Sequence, residues 1–233
     1  MTPEYAVKGS QFQVQRYVNE RRPALDAAVL DGLPSLAIHN PRLNWVSPLA
    51  SQGFRELRDA RFLATLGLER LAPLLGKFWP ARGARWDGLA IVERDSREFG
   101  VLLVEGKSHP AELKSEGMRA SSQSSRETIE RAIQATANWL TIPEANRKNW
   151  YKSYYQTANR LAHLYWLREL AGIDTWLIHL LFVNDPTHAA KQRTSRQRWG
   201  RAIQEMEIEL GLDQGFVPHF GHALLPGAKR SSR

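Results

Sequence analysis

The sequence predicts an α/β fold, a mixed central sheet sandwiched between helices, with a helical stretch ahead of it. Three observations predict it. Two apolar runs, residues 86–92 (WDGLAIV) and 100–105 (GVLLVE), are joined by a charged turn at 93–98, the pattern of a β-hairpin. A third run at 175–183 (TWLIHLLFV) is strand-length and too apolar for a face open to water, so helices should cover both sides of the sheet. Around these runs the apolar residues recur at helical spacing.

The elements follow in order. Residues 10–30 read as helical, with Phe12, Tyr17, Val18, Leu25 and Val29 as core positions and Pro23 as a break. Pro34, Pro41 and Pro48 make 31–50 an irregular connector. A helix is expected over 51–66, stopped by Gly67, and a shorter one over 68–75. After the hairpin comes a polar stretch, 108–124. Ser124 and Glu127 have capping-box spacing, and Ile129, Ala132, Ile133, Thr136, Trp139 and Leu140 continue one helical face. A helix over 150–171 ends at Gly172; the strand at 175–183, a helix over 198–210 and a short strand within 216–225 complete the fold. The organisation is a helical extension and connector (1–50), an α/β domain (51–226) and a basic tail without fixed structure (227–233).

Composition narrows the function. The chain has no cysteine, which excludes disulfides, zinc–thiolate sites and thiol nucleophiles. It shows no signal pattern and nothing near the roughly 18 apolar residues of a membrane span, so a cytoplasmic protein is expected. The formal net charge of +8 favours a polyanionic partner, because Lys and Arg contacts to phosphates release condensed counterions.

Chemistry concentrates at the hairpin. Glu105 and Lys107 stand two apart in a strand, so both side chains share a face with Val101 and Leu103. Asp87 begins the preceding strand, and antiparallel pairing through the turn brings it to the end of the second. Two carboxylates that converge repel unless a cation lies between them. Hard oxygen donors in small number suit Mg²⁺, which keeps waters and binds substrate phosphate. The Gly106 carbonyl is a third candidate ligand, and Lys107 can stabilise developing negative charge or position an attacking water.

Trp86-Asp87-Gly88 followed by Leu102-Leu103-Val104-Glu105-Gly106-Lys107 resembles the PD-(D/E)XK nuclease superfamily, without the proline of its first half. The motif spans 86–107, and the expected element order extends the resemblance over roughly 51–183. The resemblance implies a restriction-endonuclease-like αβββαβ core and Asp87 and Glu105 binding Mg²⁺ (Mn²⁺ substituting), with Lys107 supporting in-line hydrolysis of a phosphodiester, DNA before RNA. It also implies a possible homodimer, since paired nuclease sites often require one. The stretches Phe78-Trp79-Pro80 and 154–160 (YYQTANR) are similar to those of uncharacterised bacterial members.

An acid on the first core helix often completes that superfamily's site. Glu56 is the first choice, because Glu56, Asp59, Leu63 and Leu66 share a helical face; Asp59 and Glu69 compete. Gln134, on the helix after the motif, has an orienting glutamine as its counterpart in recombination-type exonucleases, but its helix face and spacing do not establish that role and favour a partly exposed glutamine. For nucleic acid the candidates are Arg85, then Tyr155 and Asn159, which share helical spacing with His163, and the basic stretch holding Lys191, Arg193, Arg196, Arg198 and Arg201 around Trp199. Core packing and a solvated basic face are the alternatives for the last two groups. His219 and His222 lack further ligands, and no zinc is assigned. A nucleic-acid-binding module with a silent site, and an assembly subunit whose charge aids solubility, are the competing functions.

Overall fold

Pro23 divides the N-terminal helical stretch, since a proline inside a helix removes a hydrogen bond and clashes with the preceding turn. In the computed structural model, which describes residues 4–94, 99–213, 215, 217 and 219–230, α1 (Gly9–Glu20) stops and α2 (Arg22–Gly32) restarts with Pro23 in its first turn. The following stretch is not the irregular connector expected over 31–50. It holds a short helix, α3 (Pro34–Ala37), and a strand, β1 (Arg42–Ser47), in which Leu43, Trp45 and Ser47 point inward. The prolines around that strand masked its two-residue period.

The helix expected over 51–66 is likewise corrected. Gly53 takes φ +69, a conformation open to glycine and closed to most residues. Leu57–Arg58 then forms a short strand, β2, and only Ala60–Thr65 is helical (α4). After α5 (Ala72–Phe78), β3 (Arg85–Trp86) pairs antiparallel with β2. The hairpin itself is β4 (Gly88–Glu93) against β5 (Phe99–Lys107), in register from Gly88↔Val104 to Glu93↔Phe99; residues 95–98 of its turn lie outside the described residues.

Helix α6 (Gln123–Trp139) is capped two residues earlier than expected: Ser122 Oγ, not that of Ser124, accepts from the Ser125 N–H. The single helix expected over 150–171 is two, α7 (Arg147–Tyr151) and α8 (Tyr155–Tyr165), the latter continuing as a π-helical turn, Trp166–Leu170. Strand β6 (Thr175–Val183), helix α9 (Arg196–Leu210) and strand β7 (Phe220–Pro226) follow. Residues 216 and 218 of the last expected strand are outside the described residues.

The sheet order is β1-β4-β5-β6-β7, antiparallel through β5 and parallel from β5 to β7. Alternation along β5 sends Val101 and Leu103 into a core with α4 to α9, and Leu102 and Val104 into a second core with Val14, Tyr17, Val18, Leu25 and Val29. Each such buried side chain stabilises by about 1.5–3 kcal/mol, so both faces hold the sheet in place. Residues expected to form an extension therefore supply an edge strand and one helical layer. The start of the expected tail is also fixed: Gly227 N–H donates to the Val183 carbonyl at 2.8 Å, and buried Ala228 donates to Gln13 Oε1 at 2.7 Å. Residues 231–233 lie outside the described residues. Among the described residues no helix is long and apolar enough to cross a membrane.

Candidate active site

Strand parity places Glu105 and Lys107 on the face of β5 that carries Val101 and Leu103. The β4–β5 register pairs Gly88 with Val104, so Asp87, just ahead of β4, falls level with Glu105. Its Oδ2 accepts the Gly106 N–H at 2.8 Å. Gly106 is glycine because α1 lies on it: a Cβ there would stand 2.6 Å from Val14 Cγ2.

Glu56 reaches Asp87 by a different route from the one its helical spacing suggested. It is not on a helix. The β2–β3 register pairs Leu57 with Trp86, which sets Glu56 level with Asp87, near enough for its charge to act on that carboxyl. Glu56 accepts from Gln11 Nε2 at 2.9 Å and pairs with Arg85 at 3.5 Å. Asp59 instead clamps a turn, accepting the Arg82 and Gly83 N–H groups at 3.0 and 2.9 Å. Glu69 sits in an exposed turn of 3₁₀-helix, Glu69–Leu71.

The electrostatics divide the two carboxylates. Glu105, 3% exposed, accepts Lys107 Nζ at 2.7 Å and Gln156 Nε2 at 2.9 Å on Oε1, and Arg160 Nε at 2.7 Å on Oε2. Burial alone would push its carboxyl up; Arg160 and Lys107 outweigh burial and hold it below the usual carboxylate range. Asp87 goes the other way. Burial, then the charge of Glu105, raise it to about 8 against the opposing pull of Lys107 and the Gly106 N–H, with Glu56 adding to the rise. Neighbouring acids with separated affinities for the proton are a common arrangement at catalytic sites.

The donor set fits a hard cation. Asp87 Oδ1 has no hydrogen-bond donor among the described residues, and Glu105 Oε2 accepts from Arg160 alone. Among the described residues no three His, Cys, Asp or Glu side chains form a ready metal cage; Mg²⁺, which retains waters, binds through one or two carboxylates. Comparison with protein-family models, curated proteins and solved structures finds no match.

The other candidates separate. Arg85 is exposed and lines, with Arg55, Arg61, Gln11, Phe54 and Glu56, a cavity of about 560 Å³. Gln134 is exposed, bonded to Asn138 at 3.0 Å, and makes no contact with the carboxylates. Tyr155 and Asn159 turn toward a second cavity, and His163 is core, packed between Trp79 and Trp86 with Nδ1 2.8 Å from the Asn159 carbonyl. Lys191, Arg193, Arg196, Arg198 and Arg201 are exposed, and Arg198 approaches His109, two residues beyond Lys107, at 3.5 Å. Trp199 is fully buried, its indole N–H donating to the Phe182 carbonyl at 3.2 Å, so it offers no stacking surface. His219 packs on Trp176, and His222 packs on His179.

Three partners were missed by the sequence reading. Gln156 and Arg160, a helical turn apart on α8, hold Glu105 and Lys107; Arg160 also donates to the Arg85 carbonyl at 2.9 Å and lies over Trp86. The available signal was Arg160 within the stripe Thr157, Leu161, Leu164, since an arginine on a buried face needs an anion. Fully buried Asp185 accepts Gln13 Nε2 at 2.7 Å, the Thr187 N–H at 2.8 Å and Ser108 Oγ at 2.8 Å, tying α1 to the end of β5. No local spacing announces it.

Proposed function

We propose that this chain is a Mg²⁺-dependent phosphodiesterase acting on nucleic acid, DNA before RNA, built on a restriction-endonuclease-like αβββαβ core. The observation that carries the reading is the convergence of Asp87, Glu105 and Lys107 at the end of two paired strands, with Glu56, whose charge acts on Asp87, lining an opening together with Arg55, Arg61 and Arg85. The order of helix, three antiparallel strands, helix and parallel strand, and the resemblance of the motif, support it.

Asp87, Glu105 and the Gly106 carbonyl are the groups that would hold Mg²⁺ or Mn²⁺. When bound, the ion offsets phosphate charge and lowers the pKa of a water. Arg160 keeps Glu105 ionised and oriented. Lys107, held by Glu105 and Gln156, presents its ammonium where charge builds on the phosphoryl oxygens. The arginines of the opening position the backbone through its phosphates, and a homodimer would set two such sites on one duplex.

One observation favours a second reading, a nucleic-acid-binding module with a silent site: the Arg160 guanidinium already supplies Glu105 with a cation. Cleavage of plasmid and single-stranded DNA with Mg²⁺ or Mn²⁺ decides between them. Hydrolysis lost in Glu105→Ala and Lys107→Ala is the expected result. Activity unchanged in both sinks the site, and salt-dependent binding without hydrolysis selects the silent module.

A further inference from the structure

One cavity has no part in the carboxylate site. On the other flank of α8, Trp79, Arg82, Arg119, Ser125, Tyr155 and Asn159 line a pocket of about 470 Å³. Helix geometry explains the division: Gln156 and Arg160 face Glu105, while Tyr155 and Asn159, each one residue earlier, are turned by about 100°.

The lining combines three chemistries. Asn159 is 8% exposed, and its Oδ1 has no hydrogen-bond partner among the described residues. A buried acceptor left unpaired costs about 1–3 kcal/mol, which an N–H group of a ligand would recover. Two exposed guanidinium groups stand with it. Arg82 is held at φ +67, a strained conformation for a residue with a Cβ, by the bonds of Asp59 to the Arg82 and Gly83 N–H groups. Arg119 is exposed and pairs with Glu116, three residues earlier. Guanidinium groups recognise phosphate, aromatic rings stack on bases, and a lone amide oxygen accepts from a base edge.

We propose that this pocket binds one nucleoside monophosphate unit, free or as the end of a single strand. The base lies against Tyr155 and donates to Asn159 Oδ1, and the phosphate lies between Arg82 and Arg119. Binding here does not require the hydrolytic role of Asp87 and Glu105.

The test is a calorimetric titration of the wild-type chain in EDTA with dAMP. Parallel arms use deoxyadenosine, inorganic phosphate and a 5′-phosphorylated oligo(dA). One molecule of dAMP per chain is expected, with deoxyadenosine and phosphate each at least about tenfold weaker. Arg82→Gln and Arg119→Gln, at exposed positions that leave the core intact, should weaken dAMP about tenfold and leave deoxyadenosine unchanged. Asn159→Ala should weaken both ligands; should it fail to fold, the two arginine variants decide. An oligonucleotide tighter than dAMP assigns the pocket to a strand end, and equal affinity assigns it to a free nucleotide. No saturable dAMP binding, or binding indifferent to both arginine variants, overturns the proposal. Nucleotide binding without Mg²⁺-dependent hydrolysis removes the phosphodiesterase reading alone, and hydrolysis without nucleotide binding removes the pocket alone.

Discussion

Replacing Asp87 by asparagine exposes the electrostatic consequence of burying a carboxyl beside Glu105. The two side chains have the same shape, and the amide oxygen can accept the Gly106 N–H that Asp87 accepts at 2.8 Å. What disappears is the ability to ionise. Burial and Glu105 raise the Asp87 carboxyl from 3.8 to about 8, so the folded chain holds this proton more tightly than the unfolded chain. The resulting stabilisation is complete below about pH 4 and is lost as pH rises to about 8. Each pH unit in that window is worth about 1.4 kcal/mol, which bounds the whole effect at roughly 6 kcal/mol; partial exposure of Asp87 to water lowers it. In metal-free solution Asp87→Asn should therefore gain on the wild type as pH rises, by at least about 2 kcal/mol between pH 5 and 8.5. Urea denaturation of both proteins in EDTA across that range measures the gap. A difference that stays constant with pH would refute a buried Asp87 carboxyl facing Glu105. Mg²⁺ adds a second arm: at pH 7.5 it should stabilise the wild type by mass action and Asp87→Asn less.

Arg160→Ala leaves Glu105 buried with Lys107 as its remaining cation, and should destabilise by about 3–5 kcal/mol. Thermal denaturation checks it. Gly106→Ala drives a methyl against Val14, with about 1–3 kcal/mol of destabilisation expected; Val14→Ala in the same chain should restore part of it. Asp185→Ala strands the donors of Gln13, Thr187 and Ser108, and a loss of at least about 2 kcal/mol in urea denaturation is expected. Binding of a DNA duplex in EDTA should weaken steeply between 50 and 200 mM salt, roughly a thousandfold for about six phosphate contacts; an affinity flat with salt would exclude backbone contacts by the exposed arginines.

The sheet was legible where apolar runs were long. Strands β5 and β6 each run through nine residues, enough for pattern to override local propensity, and Pro23 marked the break between α1 and α2 without ambiguity. The elements that were misread are short or are set by distant contacts. β1 carries a two-residue period over only six residues, and its prolines lie outside it. β2 is a two-residue strand whose existence depends on pairing with β3, which no window around Glu56 contains. Ala228 is fixed by Gln13 from the far end of the chain, so nothing in a basic, small-residue tail foretells its burial.

The candidate site was legible for a narrower reason. Glu105 and Lys107 share a face by parity alone, and parity survives any error in the neighbouring elements. Asp87 needed the hairpin register, which the turn length supplied. Glu56 shows the limit of such reasoning: it lies beside Asp87, yet the helical face that nominated it does not exist, and the β2–β3 register puts it there instead. Arg160 was hidden by the opposite error, one of phase rather than of element type. Tyr155, Asn159 and His163 lie one residue short of the positions that face β5, and on a helix one residue is about 100°. That offset divides the side chains that hold Glu105 from those that line a separate cavity. The discriminating fact was electrostatic. Of the residues on α8 that follow the spacing of Thr157, Leu161 and Leu164, Arg160 alone carries a charge that burial cannot leave unpaired, and an unpaired guanidinium in a sheet core must find a carboxylate. Glu105, at the end of β5 and next to the strand on which α8 packs, is the carboxylate the topology provides.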